Sequence, residues 1–206
     1  MNRSEKFWDK SAGKFDREGR KDEHTYNWII DRTAKYLKAG DTVMDLGCGT
    51  GLVSNEIAGM VKIIHAVDTS SKMLEIAKNK ASGRNTQNIY YTHLTIFDDR
   101  YKSASFDVIM AFYILHLLED SRQTVQRIND LLKPGGFIVS VTPCIGDKTF
   151  LGMSLSLLSR LGFIPFLRPF KASDLPDTLT AGNFEIVENE RMDQNMPQYF
   201  IAGRKK

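Results

Sequence analysis

Three glycines at alternate positions follow a short apolar run, and this spacing is typical of a turn that binds a ligand. The run Val43–Leu46 predicts a β-strand, and an apolar, helix-compatible segment follows over 52–60. Glycine is needed where φ is positive or where a ligand lies against the main chain. We therefore expect a strand, a tight turn and a helix. The turn residues expected to contact the ligand are Gly47, Cys48, Gly49 and Gly51.

Two carboxylates at the ends of predicted strands indicate the chemistry of that ligand. Asp45 lies beside the glycine turn, where it would repel a pyrophosphate and suit a cation, and the spacing differs from the G-x-G-x-x-G of dinucleotide-binding folds. Asp68 ends the next apolar strand, about 20 residues on, where a carboxylate can accept from both hydroxyls of a ribose. A ribose joined to a cationic group indicates S-adenosylmethionine, whose sulfonium and amino group are positive.

Four motifs follow one another in a recognisable order: Asp45–Gly51, Val67–Ser70, Ser105–Ile109 and Leu131–Gly136. In this order they resemble the class I S-adenosylmethionine-dependent methyltransferases, and more closely the small-molecule type 11, or UbiE-like, group. The resemblance covers nearly the whole chain and implies methyl transfer to a small-molecule acceptor. It implies an α/β fold with a Rossmann-like, seven-stranded, mostly parallel sheet flanked by helices, whose last strand is antiparallel.

The same resemblance implies one domain over 1–206, with a helical lid at 1–40, a cofactor-binding core at 41–143, and a substrate-covering segment with closing strands at 144–206. Helical spacing within 1–40 predicts two helices. Their aromatic residues are expected either to pack only or to help close the site over the cofactor. These aromatic residues are Trp8, Phe15 and Tyr26.

Further cofactor contacts are expected along the chain. Thr69 follows Asp68, and Ser70 is a predicted N-cap of the next helix. Met73 lies one turn beyond Asp68, where it either contacts the adenine or belongs to the core. The Asp-Ala pair that the family uses for adenine falls on Thr95 and Ile96, so a threonine replaces the aspartate. The alternative is that Asp98 takes this role through a small shift in alignment.

The apolar run Phe106–Phe112 predicts a strand buried on both faces. Its end, Ala111 and Phe112, is expected opposite the glycine turn, where open α/β sheets place their ligands. Methyl transfer needs alignment of the reactants, and a general base only where the acceptor must lose a proton. His116 is the candidate base and Tyr113 the second candidate. The alternative for His116 is a packed residue bonded to the backbone.

The other elements follow from local patterns. A strand is predicted at Ile89–His93, and a helix from the N-cap Asp120 to Leu132, ended by Pro134–Gly136 before the strand Phe137–Val141. The resemblance predicts the last three elements, which are a helix near 173–182 and strands near 184–187 and 198–202.

The apolar segment 150–170 is open to two interpretations. It is either a helix and loop that complete the core, or the segment that covers the substrate. In the second interpretation its apolar character would suit a hydrophobic acceptor.

Composition excludes several classes of protein. The 206 residues are 42% hydrophobic. The net charge of +3 is too small to indicate by itself that the protein binds nucleic acid. Cys48 and Cys144 have neither disulfide-framework nor metal-ligand spacing, so we expect no metal and a cytoplasmic protein. The uncharged run 149–159 is shorter than the roughly 20 residues of a membrane span.

Three other functions would share part of this sequence pattern. A noncatalytic S-adenosylmethionine-binding module would share the same motifs. An NAD(P)-dependent oxidoreductase is disfavoured by Asp45 and by the glycine spacing. Methylation of a nucleic-acid base is disfavoured because 111–114 reads Ala-Phe-Tyr-Ile, without the Asn/Asp-Pro-Pro-aromatic motif that grips a flipped base.

Overall fold

Helices and strands alternate along most of the chain. The computed structural model describes residues 3–147, 149–192 and 197–206. The helices are α1 (Arg3–Lys21), α2 (Glu23–Ala34), α3 (Ser54–Ile57), α4 (Ser71–Gly83), α5 (Ser121–Leu131), α6 (Thr149–Leu161) and α7 (Asp174–Ala181). The strands are β1 (Thr42–Leu46), β2 (Ile63–Asp68), β3 (Ile89–His93), β4 (Phe106–Phe112), β5 (Leu132–Pro143), β6 (Phe184–Met192) and β7 (Gln198–Lys205). Short 3₁₀ helices lie at Ala58–Met60, Leu115–Leu117 and Ile145–Asp147.

The seven strands form one sheet in the order β3-β2-β1-β4-β5-β7-β6. β1 pairs in parallel with β2 and with β4, and β2 pairs in parallel with β3. β7 is antiparallel to both β5 and β6. The predicted fold class, including the antiparallel last strand, is confirmed.

The chain divides into two compact units. The first comprises Met1–Tyr101 and Phe106–Met110, and the second comprises Lys102–Ser105 and Ala111–Lys206. In the first unit β1 and β2 place their apolar side chains in the core, as expected of strands covered on both faces. In the second unit β5 and β7 do the same. Fully buried examples are Val43, Ile64, Ala66, Val139 and Phe200.

The glycine turn has the backbone that its sequence predicts. Gly47, Gly49 and Gly51 have φ values of 71°, 53° and 69°, all in the left-handed region. The helix after the turn is shorter than expected: α3 begins only at Ser54, and a 3₁₀ helix completes the segment to Met60. The left-handed residue Gly51 and the turn at 52–53 delay the start of the helix.

Helix caps agree with the sequence, whereas one strand boundary does not. The Ser70 hydroxyl accepts a hydrogen bond from Met73 N (3.1 Å), and the Asp120 carboxylate accepts one from Gln123 N (2.8 Å). β5 begins at Leu132, so the expectation that Pro134–Gly136 separates helix from strand was wrong. The physical reason is that a residue before proline favours extended backbone. Among the described residues, no helix is long and apolar enough to cross a membrane.

Gly51→Ala is expected to destabilise the protein strongly. An added Cβ would lie 2.6 Å from Asn55 Nδ2, 2.7 Å from the Tyr91 hydroxyl and 3.0 Å from Ala77 Cβ. The left-handed φ costs about 1–2 kcal/mol, and the overpacking about 1–3 kcal/mol more. The free energy of unfolding from urea titration measures the sum.

Gly135→Ala is the matched control for that experiment. Gly135 also has a positive φ, 74°, but an added Cβ meets no atom within 4 Å. It should lose only the conformational part, about 1–2 kcal/mol. Equal losses in the two variants would show that the space beside Gly51 is not restricted.

Candidate active site

The glycine turn folds back onto the end of β2. The amides of Gly47 and Cys48 both donate to the carbonyl oxygen of Val67, at 2.8 and 3.1 Å, and Gly51 N donates to Cys48 O at 2.9 Å. The turn is therefore held by backbone bonds at the carboxyl ends of β1 and β2, the sheet edge where open α/β folds bind ligands.

Asp68 joins the two loops at this edge. Its Oδ2 accepts from Gly49 N at 2.9 Å, and its Oδ1 accepts from Ser70 N at 2.8 Å. Burial raises the pKa of the Asp68 carboxyl, and these amide bonds oppose the rise. A carboxylate has about four lone-pair sites, so two amide bonds leave acceptor capacity for a ribose. The side chain thus fits the predicted role in a nucleoside site.

Asp45 lies behind the glycine turn. Only 3% of its surface is exposed, and its Oδ2 accepts from the Ser54 hydroxyl at 2.5 Å. Burial raises its pKa to about 7, and the negative charge of Asp68 contributes, while the Ser54 bond acts in the opposite direction. The buried Asp45 therefore links the end of β1 to Ser54, the first residue of α3. Its state of ionisation changes with pH close to neutrality.

Three further predicted contact residues lie around this turn. Cys48 is buried, its thiol lies 3.8 Å from the Gly49 carbonyl oxygen, and burial raises the thiol pKa well above its usual value. The carbonyl oxygen of Thr69 lies 2.8 Å from Nε2 of His93. Met73 is 3% exposed, which agrees with the core alternative for this side chain.

Helix α1 lies against the glycine turn and the start of α4. A Cβ added to Gly49 would lie 3.5 Å from Phe15 Cε1, so the Phe15 ring packs beside this glycine. The Trp8 and Phe15 rings meet edge to face, with centroids 6.1 Å apart. Asp9 accepts from the Ser70 hydroxyl at 2.7 Å and from Lys72 N at 3.1 Å.

Lys80 of α4 connects α1 to the glycine turn. Its ammonium group donates to Thr50 O at 3.0 Å and Thr50 Oγ1 at 3.2 Å, and it forms an ion pair with Asp16 of α1. Sequence reasoning missed both charged residues. The sequence predicts that both residues lie on helices but does not predict that they meet, because 64 residues separate them.

The adenine candidates have different environments. Thr95 is exposed and Ile96 is buried. The alternative, Asp98, is held by Arg100: Oδ1 accepts from Arg100 N and Nε, and Oδ2 accepts from Nη2. These bonds lower the pKa of Asp98. An adenine amine would therefore have to compete with a guanidinium for Asp98.

The remaining predicted residues belong to the second unit. Ala111 and Phe112 are buried, and Tyr113 has a φ of 56°, which is unusual for a tyrosine. The Tyr113 amide donates to Val141 O at 2.8 Å, and its hydroxyl donates to Gln198 Oε1 at 2.8 Å. The expected position of Ala111 and Phe112 opposite the glycine turn stays a prediction.

His116 has an unusual environment in this unit. Its Nδ1 is buried and has no hydrogen-bond partner among the described residues, and burial lowers the imidazole pKa to about 4. Its carbonyl oxygen accepts from Arg168 N at 2.7 Å, and Arg168 Nη1 donates to the Ser121 hydroxyl at 2.9 Å. The ring is therefore neutral at physiological pH, and its Nδ1 can accept or donate one further hydrogen bond.

Comparisons with known proteins agree with this geometry. Residues 43–136 match a family model described as a methyltransferase domain. A ubiquinone biosynthesis O-methyltransferase from Paracidovorax citrulli is 26% identical over 172 residues, which cover 80% of this chain and 72% of that protein. The aklanonic acid methyltransferase DauC from a Streptomyces species is 30% identical over 114 residues, which cover 54% of this chain and 52% of that protein.

A solved structure shows the same fold. The YcgJ protein from Bacillus subtilis has a TM-score of 0.74 at 19% identity, covering 89% of this chain and 99% of that one. The match to some relatives is partial: it spans 49% of the length of each of three mycobacterial proteins, all named as uncharacterised methyltransferases.

The sheet order, the left-handed glycine turn with Asp68 beside it, and the matched domain agree with one another. Together with the methyltransferase relatives they support methyl transfer as the activity of this chain and S-adenosylmethionine as its cofactor. The two ubiquinone biosynthesis relatives are similar to this chain at 26% identity, which supports the predicted resemblance to the type 11, or UbiE-like, group.

The buried carboxyl of Asp45 predicts a pH effect on stability. Because its folded pKa of about 7 exceeds the unfolded value, the folded state binds the extra proton between about pH 4 and 7. The free energy of unfolding contributed by this group is therefore fully present below about pH 4 and is lost as pH rises through 7. Asp45→Asn still accepts from Ser54 but does not titrate.

The difference in free energy of unfolding, wild type minus Asp45→Asn, should fall by up to about 1.4 kcal/mol per pH unit over this range. It should level off above about pH 8. Urea titrations of both proteins from pH 4 to 8 measure it. A difference that does not change with pH would show that Asp45 is ionised throughout.

Proposed function

We propose that this methyltransferase methylates a small, apolar acceptor that carries an ionisable hydroxyl group. S-adenosylmethionine supplies an electrophilic methyl group on a sulfonium. The observation that carries the cofactor half of the proposal is the Asp68 carboxylate, held by Gly49 N and Ser70 N at the end of β2. We assign to Asp68 the hydroxyls of the ribose.

The second unit contains an apolar segment that indicates the nature of the acceptor. The segment 149–170 is bonded through Arg168 N to the carbonyl of His116, and its described side chains are mostly apolar. Two relatives are named for O-methylation in ubiquinone biosynthesis and for methylation of aklanonic acid, and both names point to small molecules. An apolar acceptor therefore suits this chain better than a nucleic acid does.

His116 is assigned as the group that accepts the hydrogen bond, and then the proton, of the acceptor hydroxyl. Its Nδ1 is buried without a partner among the described residues. A lowered pKa makes the imidazole a weak base, so positioning contributes more than proton removal, and alignment alone is worth roughly 7–11 kcal/mol. Tyr113, whose hydroxyl donates to Gln198, is assigned a positioning role.

Helix α1 is assigned as a lid over the cofactor. Three contacts support this: Phe15 beside Gly49, Asp9 with Ser70, and Asp16 with Lys80. We also propose that the lid comprises residues 1–40, that the cofactor-binding core comprises residues 41–143, and that the protein is cytoplasmic. A noncatalytic module is the second candidate, because nothing in the cofactor-binding unit requires turnover.

Calorimetric titration tests the cofactor assignment. Wild type should bind S-adenosylmethionine and S-adenosylhomocysteine but not NAD. Asp68→Ala removes acceptors of charged hydrogen bonds worth about 1.5–3 kcal/mol, so Kd should rise about tenfold to a hundredfold. Asp98→Asn is the matched control and should leave Kd unchanged. The opposite ranking of the two variants would place the adenine or ribose contact at Asp98.

The dissociation rate of bound S-adenosylmethionine, measured by displacement with an excess of S-adenosylhomocysteine, tests the lid. Lys80→Met should raise the dissociation rate of S-adenosylmethionine about tenfold, because it removes charged hydrogen bonds to Thr50 and Asp16. Lys78→Met removes an exposed lysine of the same helix and should have no effect. Equal rates in the two variants would contradict a role of α1 in retaining the cofactor.

His116→Leu tests the catalytic assignment by opposite effects on stability and activity. Removing a buried, unpaired nitrogen should stabilise the fold by about 1–3 kcal/mol at pH 7, while transfer to a panel of phenolic acceptors falls roughly a hundredfold or more. Because the folded pKa is lowered, stability that the wild type has above pH 6.5 is lost as pH falls to about 4. The advantage of the variant should therefore grow over that range.

Retention of full activity in His116→Leu would rule out the assigned role. A loss of stability at pH 7 would indicate a structural hydrogen bond to His116 instead. If the panel gives no turnover in wild type while S-adenosylmethionine binds, the noncatalytic module is favoured.

A further inference from the structure

Helix α6 and the loop after it expose a row of large apolar side chains. Met153 and Phe163 are 67% and 71% exposed. An exposed cluster of this kind usually marks an interaction site. The interpretation that this segment only completes the core does not hold for these side chains. We call them the α6 patch, which consists of Met153, Leu157, Leu158, Leu161, Phe163 and Phe166.

The opposite side of α6 is anchored in its own unit. A Cβ added to Gly152 would lie 3.2 Å from Ile145 O and 3.5 Å from Pro169 Cβ, so the helix backbone approaches these residues closely. The Ser159 hydroxyl accepts from Leu167 N at 3.1 Å and holds the following loop. The segment is thus packed on one side and presents the α6 patch on the other.

The segment that carries the patch has only basic charged residues, and Asp147 and Asp174 flank it on either side. From Lys148 to Lys171 the sequence contains no acidic residue and four basic ones, Lys148, Arg160, Arg168 and Lys171. The whole chain has a net charge of +3, so this segment accounts for all of the positive excess. Arg168 and Lys171 are exposed, while Lys148 and the side chain of Arg160 lie outside the described residues and are counted from the sequence alone.

We propose that the α6 patch docks on an anionic lipid surface. A helix with an apolar face and only basic charges lies in the membrane interface, with the apolar side chains among the acyl chains and the cations near lipid phosphates. The helix has 13 residues and is about 20 Å long, which suits lying on the surface. A second copy of this chain is a poorer occupant, because two patches in contact would bring the two basic segments together.

Vesicle sedimentation tests the proposal with the full chain. The protein should bind vesicles that contain phosphatidylglycerol, bind pure phosphatidylcholine much more weakly, and dissociate as salt is raised. Leu157→Ser with Leu161→Ser should lower the partition coefficient at least about tenfold, because two exposed apolar side chains are lost. Val187→Ser removes an exposed apolar side chain of β6 and should have no effect.

A second pair of variants tests the charges. Arg160→Gln with Lys171→Gln should lower binding about 25-fold, at about fivefold for each basic residue. Lys35→Gln with Lys38→Gln neutralises two exposed lysines near α2 and should leave binding unchanged. Circular dichroism would confirm that each variant is folded.

Two outcomes would overturn the proposal. One is the absence of vesicle binding, or equal binding to neutral and anionic vesicles. The other is a concentration-dependent dimer, seen by sedimentation velocity without vesicles and abolished by the leucine variants, which would assign the patch to a second copy. Neither measurement involves cofactor or methyl transfer, so either result leaves the assignment of the cofactor site unchanged.

Discussion

The first unit depends on the hydrogen bonds that the carboxylate of Asp68 accepts. This carboxylate accepts from Gly49 in the turn after β1 and from Ser70 in the turn after β2, so one side chain sets the distance between two loops. Ser70 in turn caps α4 and donates to Asp9 of α1. One chain of hydrogen bonds therefore joins the sheet, α4 and α1, and each bond is strengthened because its acceptor is charged or its donor is buried.

Two largely buried carboxylates in this unit would favour a cationic ligand over an anionic one. Asp45 and Asp68 are both largely buried, and the charge of Asp68 contributes to the raised pKa of Asp45. Bringing a positive group to this edge of the sheet would favour the ionised form of both. A cationic cofactor bound close to these carboxylates would therefore lower their pKa values, whereas a pyrophosphate there would be repelled by them.

The second unit contains features that cost stability. Tyr113 has a left-handed backbone, and His116 buries a nitrogen without a partner among the described residues. Each costs roughly 1–3 kcal/mol in typical proteins, and such features persist where function requires them. Their location in the second unit agrees with the role in recognising the acceptor that we propose for that unit.

The sequence by itself determined the elements whose signals are local. The glycine spacing after Val43–Leu46 predicted a left-handed turn, and Ser70 and Asp120 were identified as caps, because backbone preference and side-chain capping act over a few residues. Only the tertiary structure decided the pairing of Lys80 with Asp16 and the exposure of the α6 patch. These depend on partners far away in the chain, and an apolar or charged side chain carries the same local signal whether packing covers it or leaves it at the surface.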